Sequence, residues 1–143
     1  MLSRLLISLC LFVRILKIKA GAQAQYTGGR HGYGAKLTNI FSTRFEVETL
    51  DSSEGLHYKQ EWRDNMGTRT DPVISKANKR DKDFTKVEFV PDLPRFGESE
   101  FSADMEQIFT KRVWEVAGCN PQVAVYLNGN RLKVPNEKSY VKM

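Results

Sequence analysis

Between Arg44 and Arg63 the side chains change character at nearly every step. Phe45, Val47 and Thr49 alternate with Arg44, Glu46 and Glu48. After Asp51-Ser-Ser-Glu-Gly55, Leu56, Tyr58, Gln60 and Trp62 alternate with His57, Lys59, Glu61 and Arg63. Successive side chains on a strand point to opposite faces, so a period of two on both sides of a turn-forming pentapeptide predicts an antiparallel hairpin. One face is expected to pack and the other, charged and carrying His57 as a surface residue, to be solvated. Asn65-Met-Gly67 ends the second strand.

The flanking segments supply the rest of a layered domain. Ala35 to Ser42 places Leu37, Ile40 and Phe41 on one side at helical spacing. Residues 68–83 are polar, with Lys76, Lys79, Arg80 and Lys82 clustered, and read as a solvated loop that can also touch phosphates. Phe84 to Val90 is a third strand, and Pro91 and Pro94 break the chain before a helix from Ser102 to Ala117. That helix carries Met105, Ile108, Phe109, Val113, Val116 and Ala117 on one stripe, with Trp114 off it and Gly118 as its C-terminal stop. Gln122 to Leu127 and Asn130 to Val134 flank Asn128-Gly129, a strong two-residue hairpin signal. This order predicts an α/β fold, an α+β two-layer sandwich with a mixed, largely antiparallel sheet.

Charge separates the chain at its start. Four of the 22 basic residues, Arg4, Arg14, Lys17 and Lys19, lie before position 20, so from Gln25 onward 18 bases face all 17 acids. The globular part is therefore not basic by composition. Leu5 to Val13 is an apolar run too short to cross a membrane, which takes about 20 residues. Residues 1–25 read either as a signal or transit peptide or as a non-native leader. The charges between the apolar run and Ala20-Gly-Ala22 favour the second. Cys10, Cys119, His31 and His57 show no metal-ligand spacing, so no zinc site is expected and the cysteines read as free thiols.

The chemically distinctive stretch is Gly28-Gly29-Arg30-His31-Gly32-Tyr33-Gly34-Ala35-Lys36, which opens into the first helix. Glycines let the backbone turn and approach an anion closely. The helix N-terminus adds unpaired amide donors and a partial positive charge. Arg30 and Lys36 bring side-chain charge. The stretch is not a Walker A loop, because Gly34 is followed by Ala35 before Lys36 and no apolar strand precedes it. Taken alone, it is a polyphosphate cradle or a flexible turn.

Gly28 to Ser42, GGRHGYGAKLTNIFS, resembles the ATP lid of eukaryotic type II DNA topoisomerases, members of the GHKL ATPases. Further blocks resemble the same family in order: Ser42-Thr-Arg-Phe-Glu-Val-Glu-Thr49, Gln60-Glu-Trp62, Asp64-Asn-Met-Gly67, Phe89-Val-Pro-Asp-Leu93, Lys111 to Gly118, and Leu127-Asn-Gly-Asn130. The resemblance covers residues 26–143. It implies a partial GHKL (Bergerat) fold in which Gly29, Arg30, His31, Gly32, Tyr33, Gly34, Ala35 and Lys36 bind ATP, with Lys36 near the γ-phosphate. His31 departs from the asparagine usual in eukaryotic members and matches the bacterial gyrase-type lid. The ordered blocks from Phe41 to Asn130 argue against other GHKL ATPases, such as heat-shock chaperones or mismatch-repair proteins.

The resemblance also implies Mg²⁺, a DNA substrate, a homodimeric enzyme, nuclear location and no membrane. In the family the catalytic glutamate, the Mg²⁺-binding asparagine and the adenine-reading Asp-x-Gly all precede the lid. Residues 1–25 contain no Glu, Asp or Asn. No catalytic or metal residue is therefore assigned within the chain, and by itself it is expected to be inactive. The alternative is a truncated, non-catalytic paralogue that serves as an interaction or structural module.

Overall fold

The computed structural model describes residues 31–121, 123–134 and 140–141. The apolar leader 1–25, Gly29, Arg30 and Gln122 lie outside the described residues. The chain divides into two units, one through Arg95 and one from Phe96.

In the first unit, helix α1 (Tyr33–Ile40) leads into strands β1 (Ser42–Asp51), β2 (Leu56–Arg63), β3 (Thr68–Arg69), β4 (Val73–Lys76) and β5 (Phe84–Pro91). A 3-10 turn, Leu93–Phe96, closes it. Every pairing in the sheet is antiparallel. β1 is central, with β2 on one edge and β5 on the other. The hairpin expected from the alternation is present, joined through Gly55 at φ 68°. The stretch 68–83 is not only a loop. β3 pairs with one end of the outer edge of β2, and β4 pairs with the other. These strands form by completing backbone hydrogen bonds on an open edge rather than by burying a face. Val73 and Ile74 stay more than 60% exposed, so no hydropathy alternation announces the strand.

The two sheet faces differ in a way the sequence only half predicts. On one, Phe45 lies opposite Trp62 and Phe89, and Val47 opposite Gln60 and Val87. Phe45 is 3% exposed and meets Trp62 edge-on at 6.1 Å between ring centroids. Gln60 is buried there but satisfied: its Nε2 donates to the Thr70 carbonyl at 2.9 Å, and its Oε1 accepts from the Tyr58 hydroxyl.

The other face is not simply solvated. Glu46 sits directly between Glu61 and Glu88 on the neighbouring strands, three carboxylates in one row. Like charges directly opposite one another destabilise a sheet, so the row holds only because cations interleave it. Glu46 accepts from Arg44 Nη2 at 2.7 Å and Lys59 Nζ at 2.9 Å. Glu61 accepts from Arg44 Nε at 2.5 Å and Arg63 Nε at 2.6 Å, and Glu88 from Lys86 Nζ at 2.8 Å. Covered by these side chains, Glu46 is as inaccessible as a core residue, at 5%. His57, expected on the surface, is half-buried, with Nε2 2.9 Å from Glu48 Oε1 and Nδ1 3.3 Å from Ser75 Oγ.

The second unit holds α2 (Ala103–Cys119) and the hairpin β6 (Tyr126–Leu127) and β7 (Asn130–Arg131). Ser102 caps α2 by accepting from the Met105 amide at 3.2 Å. Gly118 is not the stop. The helix continues to Cys119, where Asn120 donates through both its backbone and side-chain nitrogens to the Val116 carbonyl. Gly118 is small for another reason: a Cβ there would lie 3.0 Å from the Tyr140 Cβ. Of the apolar stripe, Val113 and Ala117 are buried, whereas Ile108, Phe109 and Val116 are exposed. Trp114 lines an open hollow of about 460 Å³ with Lys111, Tyr140 and Val141. Asn128 and Gly129, both at positive φ, make the predicted turn, but pairing spans only two residues on each side.

The charged row makes a pH prediction. Hydrogen bonds from Arg63 and then Arg44 hold the Glu61 carboxyl below its ordinary value near 4.5, and Lys86 does the same for Glu88. A group whose folded value is depressed contributes stability above its unfolded value and loses it as pH falls through the folded one. The melting temperature of the chain is therefore expected to drop as pH falls below about 4.5. Glu61→Gln should flatten that drop, measured by thermal melts across pH 3 to 7.

Candidate functional site

The glycine-rich stretch opens α1 without a capping side chain. Gly32 occupies the N-cap at φ 67° and ψ 15°, left-handed geometry that costs other residues about 1–2 kcal/mol. No acidic residue stands in the first turn. The leading amides of a helix have no intrahelical acceptor, and here no N-cap side chain takes one up. Among the described residues no acceptor takes up the amides of Tyr33, Gly34 and Ala35, at the helix end that favours an anion. A Cβ on Gly32 or Gly34 would meet nothing within 4 Å, so no described residue blocks the approach to these amides.

Of the eight residues expected to bind phosphate, His31, Gly32, Tyr33, Gly34, Ala35 and Lys36 are brought together at this end, and all are exposed. The His31 and Tyr33 rings lie 5.8 Å apart between centroids. Gly29 and Arg30 fall outside the described residues. The helix begins at Tyr33, two residues earlier than its apolar spacing indicates. Its expected apolar face is also reversed: Leu37 and Ile40 are exposed, while Asn39 and the following Ser42 are buried. Polar links at the C-terminal end fix how the helix attaches. Ser42 Oγ donates to the Thr38 carbonyl at 2.5 Å, and Asn65 Nδ2 donates to the Ile40 carbonyl at 2.9 Å. Asn39 Oδ1 is buried with no hydrogen-bond partner among the described residues, and nothing in the structure accounts for it.

Asn65 is the residue whose part in holding α1 sequence reasoning left unassigned. Asp64, Asn65 and Met66 are three consecutive non-glycine residues at positive φ, 54°, 57° and 67°. The Asp64 and Asn65 amides donate to the Thr43 and Ser42 carbonyls, each at 3.1 Å. The Asn65 side chain also reaches Asp92 Oδ2 at 3.1 Å, and the Asp92 amide donates to the Phe41 carbonyl at 2.9 Å. One turn therefore ties the end of α1 to the ends of β1, β2 and β5. An Asn-Met-Gly sequence signals a turn, but no local pattern shows what the turn holds.

Among the described residues no group of three or more His, Cys, Asp or Glu is placed to hold a metal, and Cys119 is free and exposed. No described helix is long and apolar enough to cross a membrane.

No family model matches the chain. Individual relatives do. It is 45% identical over 123 residues to the mitochondrial DNA topoisomerase 2 of Dictyostelium discoideum, and 48% identical over 118 residues to DNA topoisomerase 2 of Arabidopsis thaliana. Its fold superposes on the crystallised ATPase region of Saccharomyces cerevisiae topoisomerase II with a TM-score of 0.76 at 42% identity, over 85% of the chain. The chain is a homologue of the ATPase region of eukaryotic type II DNA topoisomerases. The α/β class and GHKL architecture implied by the lid motif are thereby shown. The ATPase and transducer domains of Balamuthia mandrillaris topoisomerase II give a TM-score of 0.77 at 45% identity. The chain spans 10% of the Dictyostelium protein, 8% of the Arabidopsis one and 34% of the yeast ATPase chain.

The two open glycines are expected to respond oppositely. Gly32→Ala should cost about 1–2 kcal/mol through its backbone angle alone. Gly34→Ala, inside the helix, should stabilise it by about 1 kcal/mol. Amide exchange along α1 reads both, and equal effects of the two substitutions would contradict the geometry.

Proposed function

We propose that residues 28–36 are the ATP lid of a type II topoisomerase ATPase module, and that the chain contributes its phosphate-binding side. The observation that carries this reading is the left-handed Gly32 cap, which leaves the first-turn amides of α1 free beside Lys36 in a fold homologous to that module. The amides of Tyr33, Gly34 and Ala35 donate to phosphate oxygens. Gly29 and Arg30 complete the cradle, His31 and Gly32 shape the approach, and the Lys36 ammonium offsets the charge of the terminal phosphate. Donors fixed in place before the reaction stabilise charge that grows on the phosphoryl oxygens without having to reorganise.

The general base must lie within hydrogen-bond reach of the attacking water. The lid stretch carries no carboxylate. Nor does it carry an Asp, Glu or Asn suited to Mg²⁺, which takes oxygen ligands. Both functions belong to the segment that precedes the lid in the family, as the resemblance implies. In the intact enzyme, ATP closes two ATPase modules into a homodimeric gate, and lid closure couples nucleotide state to the passage of one DNA segment through another. The nucleus is the proposed location, testable by imaging the tagged chain.

The 143-residue chain alone is expected to show negligible ATP turnover. A chimera in which residues 28–131 replace the matching stretch of the yeast ATPase region is expected to hydrolyse ATP. Lys36→Ala in that chimera should lower kcat/KM by about 10²–10³-fold, the effect of deleting one charge-stabilising donor. Unchanged turnover in the Lys36→Ala chimera would remove Lys36 from the site. Turnover by the isolated chain that Lys36→Ala abolishes would overturn the division of labour.

A further inference from the structure

We propose that the stretch from Lys76, the last residue of β4, through the turn to Lys82 is a contact site for the phosphate backbone of duplex DNA. The proposal rests on the topoisomerase reading for the identity of its partner, and on the loop's own construction for its existence. Four cations, Lys76, Lys79, Arg80 and Lys82, fall within seven residues, and all four are exposed. On the sheet, every cation of the charged face has a carboxylate: Arg44, Lys59, Arg63 and Lys86 are each ion-paired. Among the described residues no ion pair holds any of the four loop cations.

Two acids, Asp81 and Asp83, lie in or beside the same stretch and shape its turn. Asp81 turns its carboxylate to the backbone, accepting from the Asn78 amide at 2.9 Å, while its own amide donates to the Asn78 carbonyl at 3.0 Å. That turn puts Lys79 and Arg80 at its tip. Asp83 accepts from Ser52 twice, from the amide at 2.8 Å and the hydroxyl at 2.6 Å. The loop is also anchored at both ends on the turn between β1 and β2. The Ala77 amide donates to the Gly55 carbonyl at 2.9 Å, and Asp83 holds Ser52. A held turn with its cations outward suits a line of phosphates, which binds through release of condensed counterions. From Gln25 onward the rest of the chain is nearly charge-balanced, so within that part the attraction is local to this stretch, while Arg4, Arg14, Lys17 and Lys19 give every variant the same background.

The test is fluorescence anisotropy of a 30-base-pair duplex with the full 143-residue chain, from 25 to 200 mM salt. The variants are the triple Lys79→Ala/Arg80→Ala/Lys82→Ala and the conservative double Lys79→Arg/Lys82→Arg. The triple variant is expected to weaken binding at low salt at least tenfold and to reduce the salt slope by about two to three, at roughly 0.9 for each phosphate that is no longer neutralised. The double Arg variant should bind as the parent does. An unchanged affinity and slope in the triple variant, or an equal loss in the double Arg variant, overturns the proposal. Tighter binding of single-stranded RNA than of the duplex overturns the choice of partner. ATP turnover in the yeast chimera reads the lid independently. A working lid with a silent loop therefore sinks this proposal alone, and a working loop with a silent lid sinks only the ATPase reading.

Discussion

β1 is hydrogen-bonded along both edges, to β2 and to β5, and the larger unit is organised by that double pairing. It fixes the register of three strands at once, and the register fixes what each face must do. Phe45 is clamped between Trp62 and Phe89, whereas Glu46, one step along, is forced between Glu61 and Glu88. The packed face is held by apolar contact. The other is held by Arg44, Lys59, Arg63 and Lys86, which neutralise a row of carboxylates that would otherwise repel. Slipping any strand by one residue would put charges where aromatics sit.

That register carries through to the lid helix. The ends of β1, β2 and β5 meet at the left-handed turn Asp64–Asn65–Met66, and Asn65 uses its amide hydrogens to grip the last carbonyl of α1 and Asp92. The helix is thus fixed at its C-terminal end and left open at its N-terminal end, where Gly32 provides a bend but no cap. Attachment at one end and, among the described residues, unclaimed donors at the other suit the proposed phosphate-binding role. The backbone strain of three consecutive positive φ angles is concentrated in the turn that does the holding.

How legible this was in the sequence depends on whether a feature is local. The β1–β2 hairpin, the third strand, the long helix and the Asn128-Gly129 turn follow from period, length and turn chemistry within a few residues. Edge strands β3 and β4 did not, because Thr68–Arg69 and Val73–Lys76 are strands only by virtue of a free backbone edge on β2. The face of α1 escapes its pattern for a similar reason. Leu37 and Ile40 have helical spacing, but polar links from Ser42 and Asn65 decide which side meets the sheet. Gly118 looks like a helix stop in sequence and instead makes room for Tyr140, which lies 22 residues further along.

By itself, the sequence marked Gly28 to Lys36 as a polyphosphate cradle or a flexible turn, because the backbone freedom of glycine and the unpaired amides of a helix start are local properties. It also determined the hairpin, since alternation is a local record of two faces. Only the tertiary structure decided that Glu46 is buried beneath the ion pairs of the charged face, that α1 turns Leu37 and Ile40 outward, and that a turn puts Lys79 and Arg80 at its tip. Each of these depends on which residues meet across strands or turns, and a linear pattern does not encode its distant partners.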